Sequence, residues 1–108
     1  MIAYENCNEV CITLPAAEGL VAGMFCYIDE ENRAAEASGG SNFVGYVKSV
    51  RNGLACVLVR GIITTKEHYE ANRGWTHLIV DGICVTSDSS GTPALVLSVG
   101  DEGCTFML

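Results

Sequence analysis

Phe43-Val44-Gly45-Tyr46-Val47-Lys48-Ser49-Val50-Arg51-Asn52-Gly53-Leu54-Ala55-Cys56-Val57-Leu58-Val59-Arg60 is a long apolar run broken by one dipeptide, and that dipeptide decides the fold. A two-residue type I′ turn needs positive φ at both central positions, which Asn followed by Gly tolerates best. Residues 43–50 should therefore fold back onto residues 54–63 as an antiparallel hairpin. Two weaker versions of the signal follow. Asp81-Gly82 separates strand-like residues 76–80 and 83–87, and Gly100-Asp101-Glu102-Gly103 separates residues 94–99 and 104–108.

Working outward, residues 9–14 read as a first strand, with Val10, Ile12 and Leu14 on one face and Cys11 and Thr13 on the other, ended by Pro15. Residues 16–23 are small and bounded by Gly, a connector into the strand at 24–29. Asp29-Glu30-Glu31-Asn32 supplies turn residues, and residues 33–37 return antiparallel. Residues 38–42 and 87–93 read as exposed loops. Gly45 and Gly61 mark a bend or a close approach between strands. Residues 65–74 form either a two-turn helix, capped by Thr65 and stopped by Gly74, or an irregular insertion. The expectation is an all-β, mainly antiparallel domain, a small barrel or sandwich of about eight short strands spanning residues 1–108, with residues 1–8 as a possible N-terminal arm.

The 108 residues form one domain, large enough to bury roughly two-thirds of the unfolded surface without staples. No apolar run approaches the roughly 18 residues of a membrane-spanning helix, so no membrane partner is expected. Residues 1–6 lack the basic start and long apolar stretch of a secretory signal, which makes a cytoplasmic location the default. A net charge of −7 with six Lys plus Arg leaves no basic stripe for a phosphate backbone, so nucleic acid is not an expected partner.

Six cysteines, at positions 7, 11, 26, 56, 84 and 104, are scattered without a Cys-x-x-Cys pair or a His at ligand spacing. They read as reduced thiols inside apolar segments, behaving as small hydrophobes in a reducing compartment. His68 reads as solvent-facing and His77 as a rim or partly buried strand residue. Neither sits in a nucleophile signature. The acidic pairs Glu30-Glu31 and Asp101-Glu102 fall in turns, where charge is solvated and a catalytic role is not expected. No catalytic, cofactor or metal residue is assigned. Tyr4, Tyr69 and Trp75 are the candidate interface residues, because Tyr and Trp anchor protein contacts, although a lone Trp in a small β domain also fits a core position.

The residues at 18–29, Glu18-Gly19-Leu20-Val21-Ala22-Gly23-Met24-Phe25-Cys26-Tyr27-Ile28-Asp29, are followed by Arg33-Ala34-Ala35, by Phe43-Val44-Gly45-Tyr46-Val47 and by Ala55-Cys56-Val57-Leu58-Val59-Arg60-Gly61. This order resembles the capsid decoration, or cement, proteins of tailed phages and related small prophage structural proteins. The resemblance covers residues 18–63. The chain departs from it by carrying a polar insertion and two further hairpins. It implies a non-enzymatic virion protein on the capsid surface that binds the major capsid protein lattice, with self-association, a trimer in the lambda type. Residues 1–8 would then suit an arm that adds to a capsid edge. A small-molecule- or peptide-binding bacterial β-barrel, with ligands at the 38–42 and 87–93 loops, is the alternative reading. A small hydrolase or lyase is the third.

Overall fold

The computed structural model describes residues 9–68, 71–81, 84–101 and 103–108. In chain order the strands are β1 (Val10–Pro15), β2 (Phe25–Ile28), β3 (Ala34–Glu36), β4 (Gly45–Arg51), β5 (Leu54–Arg60), β6 (Ile62–Thr65), β7 (Glu67–His68), β8 (Gly74–Asp81), β9 (Cys84–Ser87), β10 (Thr92–Gly100) and β11 (Gly103–Met107). They form two sheets. One is antiparallel, in the order β1-β5-β4-β2-β3; the other runs β6-β11-β10-β8-β9-β7, antiparallel except where the two-residue β7 lies parallel to β9. The protein is an all-β sandwich, with more and shorter strands than the eight expected.

The central hairpin forms as its turn chemistry dictates. Asn52 and Gly53 hold φ of 52° and 74°, and Arg51 pairs with Leu54 across them. The other two hairpins close where the sequence placed them, one pairing Asp81 with Cys84 and the other Gly100 with Gly103. Gly45 marks a close approach: a Cβ there would sit 2.5 Å from Val57 Cγ1 and 2.6 Å from the Leu58 carbonyl oxygen. Pro15 ends β1 on the sheet's edge, where a missing N–H costs no ladder bond.

A helix at 65–74 does not form among the described residues. Thr65 instead pairs with Cys104 at the end of β6, and β-branched Ile62-Ile63-Thr64-Thr65 suits a strand better than a helix start. The loop at 38–42 is also more structured than its glycines suggest. The Gly40 and Ser41 amides both donate to the Val80 carbonyl, at 3.0 and 3.2 Å, and the Val80 amide returns a bond to the Ser41 carbonyl at 2.9 Å. The segment thus ties the second sheet to the first.

Two cores result from strand alternation. Between the sheets, Phe25, Phe43, Tyr46 and Phe106 form an aromatic cluster, with ring centroids 4.8 Å apart for Phe25–Phe43 and 6.0 Å for Phe25–Phe106. Leu58, Leu78, Val80, Val85 and Val96 complete that core. On the opposite face of the five-stranded sheet, Cys26, Ala34, Val47, Ala55 and Val57 are covered by Leu20 and Met24 of the connector. Both faces of β4 and β5 are therefore buried along part of their length, which explains their near-continuous apolarity.

Candidate functional site

The outer face of the six-stranded sheet has no second layer among the described residues. In β8, Leu78 and Val80 point to the core, so Trp75, His77 and Ile79 point away from it. Cross-strand register then assembles a row. Trp75 pairs with Leu95, Leu95 with Met107, and Met107 with Ile62, placing four apolar side chains side by side across β8, β10, β11 and β6. Leu95, Met107 and Ile62 are half-buried, whereas Trp75 stands 77% exposed.

The flanking rows are neutral as well. On one side lie His77 with Pro93 and Ile79 with Thr86. On the other lie Thr64, Thr105 and Ser98, with the Thr64 and Thr105 hydroxyls 2.9 Å apart. The chain holds 19 formally charged side chains, 6 basic and 13 acidic, yet none falls in these rows. Acids border the face: Asp81 ends β8 two residues past Ile79, its Oδ1 accepting from the Gly39 amide at 3.2 Å, and the Asp88 amide donates to the His77 carbonyl at 2.9 Å. An uncharged middle row with an exposed indole, bordered by Asp81 and Asp88, has the composition of an interface centre.

Of the three residues singled out from the sequence, Trp75 lies on this face, while Tyr4 and Tyr69 lie outside the described residues, as does the proposed arm at 1–8. His77 is exposed beside Trp75 rather than partly buried. His68 differs from the expectation of a solvent-facing ring. It is half-buried, its Nε2 lies 3.0 Å from the Gly100 carbonyl oxygen, and its Nδ1 is buried without a partner. A carbonyl oxygen only accepts, so Nε2–H is the donor in this contact. The sequence reading missed Leu95, Met107 and Ile62, because residues 92–99 are apolar on both faces and only the register shows which side chains line up with Trp75.

The acids serve turns. Asp29 accepts through Oδ1 from the Glu31 and Arg33 amides at 3.0 and 2.9 Å, and through Oδ2 from Arg33 Nε at 3.1 Å. The Arg33 amide bond, followed by the Arg33 side chain and the Glu31 amide, holds this carboxyl below the ordinary range. Glu30 and Glu31 border an open hollow of about 430 Å³ with Tyr27, Ile28, Asp29 and Arg33. Asp88 accepts from the Ser90 hydroxyl and amide, which lower its pKa. The 87–93 loop is tied to the residue that follows the 38–42 loop: Thr92 Oγ1 accepts from the Phe43 amide at 2.9 Å and donates to the Phe43 carbonyl at 2.6 Å. No group of three or more His, Cys, Asp or Glu side chains suits a metal ion among the described residues.

No family model, curated protein or solved structure matches the chain.

Proposed function

We propose that this protein is a non-enzymatic binding module that acts through protein–protein contact, and that its partner is the capsid lattice of a tailed phage or prophage. The observation that carries the binding half is the Trp75–Leu95–Met107–Ile62 row, apolar from end to end across four strands. Aromatic anchors surrounded by half-buried apolar and hydroxyl side chains are where interface energy concentrates. The capsid half rests on the resemblance of residues 18–63 to decoration proteins. In that role each copy contributes a modest contact, and many copies on a repeating shell add up to a stabilising coat. Self-association, as a trimer, belongs to the same proposal, as does a place on the virion surface.

The test is co-sedimentation of the purified protein with expanded capsid shells of the encoding phage or prophage, with unexpanded shells as control and sedimentation of the protein alone to read its own association. Saturable binding to expanded shells supports the reading. No binding at micromolar concentration overturns the lattice role.

A further inference from the structure

A second cluster of reactive side chains lies on the five-stranded sheet, away from the Trp75 face and independent of the function proposed for it. β1 is an edge strand paired only with β5. Its register sets Thr13 opposite Cys56 and Cys11 opposite Leu58, so Cys11 and Cys56 are diagonal neighbours on one face. Both side chains therefore stand on the same side of the sheet, Cys56 two positions along β5 from the partner of Cys11. Cys11 is exposed and Cys56 half-buried, so the pair can be reached from solvent. Lys48 Nζ sits 3.1 Å from Glu9 Oε2, an ion pair close to Cys11, whose thiol is held above its ordinary pKa by loss of solvent and by Cys56 despite the Lys48 charge. The register shifts beside the pair, between Val10 and Cys11 on β1 and between Val47 and Ser49 on β4, as bulged strands do where local twist increases.

Two of the other thiols are closed off from solvent. Cys26 and Cys104 are buried, and burial pushes the Cys26 thiol up to about 11. A buried thiol of that kind is inert, because the thiolate is the attacking species.

We propose that Cys11 and Cys56 form a reversible cross-strand disulfide that staples the edge strand β1 to β5. The oxidant is a low-molecular-weight disulfide of the glutathione class. The Cys11 thiolate attacks one sulfur of the oxidant, breaking its S–S bond, forming a mixed disulfide and releasing one small thiol. The Cys56 thiolate then attacks the Cys11 sulfur, closing the cross-strand bond and releasing the second small thiol. Two protein thiols are oxidised, one small disulfide is reduced to two thiols, and the two protons leave with them. Diagonal neighbours in an antiparallel pair stand about 7–8 Å apart, beyond the usual span of a disulfide, so the strands must draw together to make the bond. Bonds made at such a cost are readily reduced, which makes this one a switch rather than a permanent clamp.

The experiment equilibrates the full chain with mixtures of reduced and oxidised glutathione, quenches with an alkylating agent, denatures, and digests with trypsin and a glutamate-specific protease. Cleavage at Glu9 separates Cys7 from Cys11, and cleavage at Arg51 and Arg60 isolates Cys56. The expected product joins peptide 10–18 to peptide 52–60 with loss of two hydrogens, retained in Cys84→Ser. Cys56→Ser is expected to leave Cys11 as the glutathione mixed disulfide. Alkylation of both residues at every ratio, a persistent mixed disulfide in the wild type, or pairing of Cys11 with Cys7 would each overturn the proposal. The wild-type peptide map decides the matter even if a variant fails to fold.

Discussion

Replacing Trp75 with Thr should separate binding from stability. A fully buried Trp hides roughly 200 Å². With the side chain 77% exposed, only about a quarter of that, roughly 50 Å², is covered in the free protein. At about 25 cal/mol per Å² the covered part contributes about 1 kcal/mol, and Thr, β-branched and at home in a strand, recovers some of it. Urea denaturation should therefore show a loss of about 1 kcal/mol or less. The remaining ~150 Å² would contribute up to ~4 kcal/mol if a partner covered it completely, and truncating a central interface aromatic costs about 2–4 kcal/mol. Affinity for expanded shells should fall by roughly 30- to 1,000-fold. Because the chain has one Trp, its fluorescence gives an independent reading. The free protein should show the red-shifted, readily quenched emission of a solvated indole, and bound protein a blue-shifted, protected one. Binding within about threefold of wild type would refute Trp75 as an anchor. A stability loss above ~3 kcal/mol would refute the outward orientation of the whole row.

Three further changes test the parts of the fold that hold this face in place. Phe106→Ala removes the ring that packs on Phe25 and Phe43 from the second sheet, and should cost about 3–5 kcal/mol in chemical denaturation, with neither sheet remaining ordered by itself. Gly45→Ala forces a methyl against the Leu58 carbonyl and Val57, and should cost about 1–3 kcal/mol; an unchanged midpoint would contradict the close approach of β4 to β5. Asp29→Asn should lower the melting temperature at neutral pH. The folded pKa of Asp29 is depressed, so its contribution is present above the unfolded value near ~4 and is lost as pH falls through the folded value. Melting curves of wild type and variant should therefore converge as the pH drops below about 4, and a gap that persisted there would rule out the carboxylate as its source.

The hairpins were legible in the sequence because turn chemistry is local. Asn52-Gly53 needs no tertiary information to specify positive φ at both positions, and the return strand after Asp29 follows from residues that bond to their own loop. Residues 65–74 were not legible. Thr65, Lys66 and Glu67 carry no period of their own, and Thr65 is drawn into a strand by Cys104, 39 positions away in sequence (104 − 65). The loop at 38–42 shows the same limit, since its order comes from Val80 and Thr92 rather than from its glycines. The expectation of unpaired thiols holds at Cys11, Cys26, Cys56, Cys84 and Cys104, and that of small buried hydrophobes holds at Cys26 and Cys104; the exposure of Cys11 depends on β1 lying at the sheet's edge.

The binding face lies at the far end of this scale. A lone Trp at the start of an apolar strand is compatible with core or surface, and the residues of β8 alone do not decide between them. What decides is parity. With Leu78 and Val80 filling the space beneath the sheet, Trp75 must point outward, and a one-residue slip of β8 would bury the indole while exposing both aliphatic side chains. That slip would also send Leu95 and Met107 inward if the cross-strand pairs were kept, since partners in a row share a face. Exposure of Trp75 is thus the consequence of three paired strands, and the apolar row exists because the core beneath it took the other half of each strand. Retaining an indole at the solvent-facing position leaves most of its apolar surface unused by folding, and association with another protein surface is the process that would cover it.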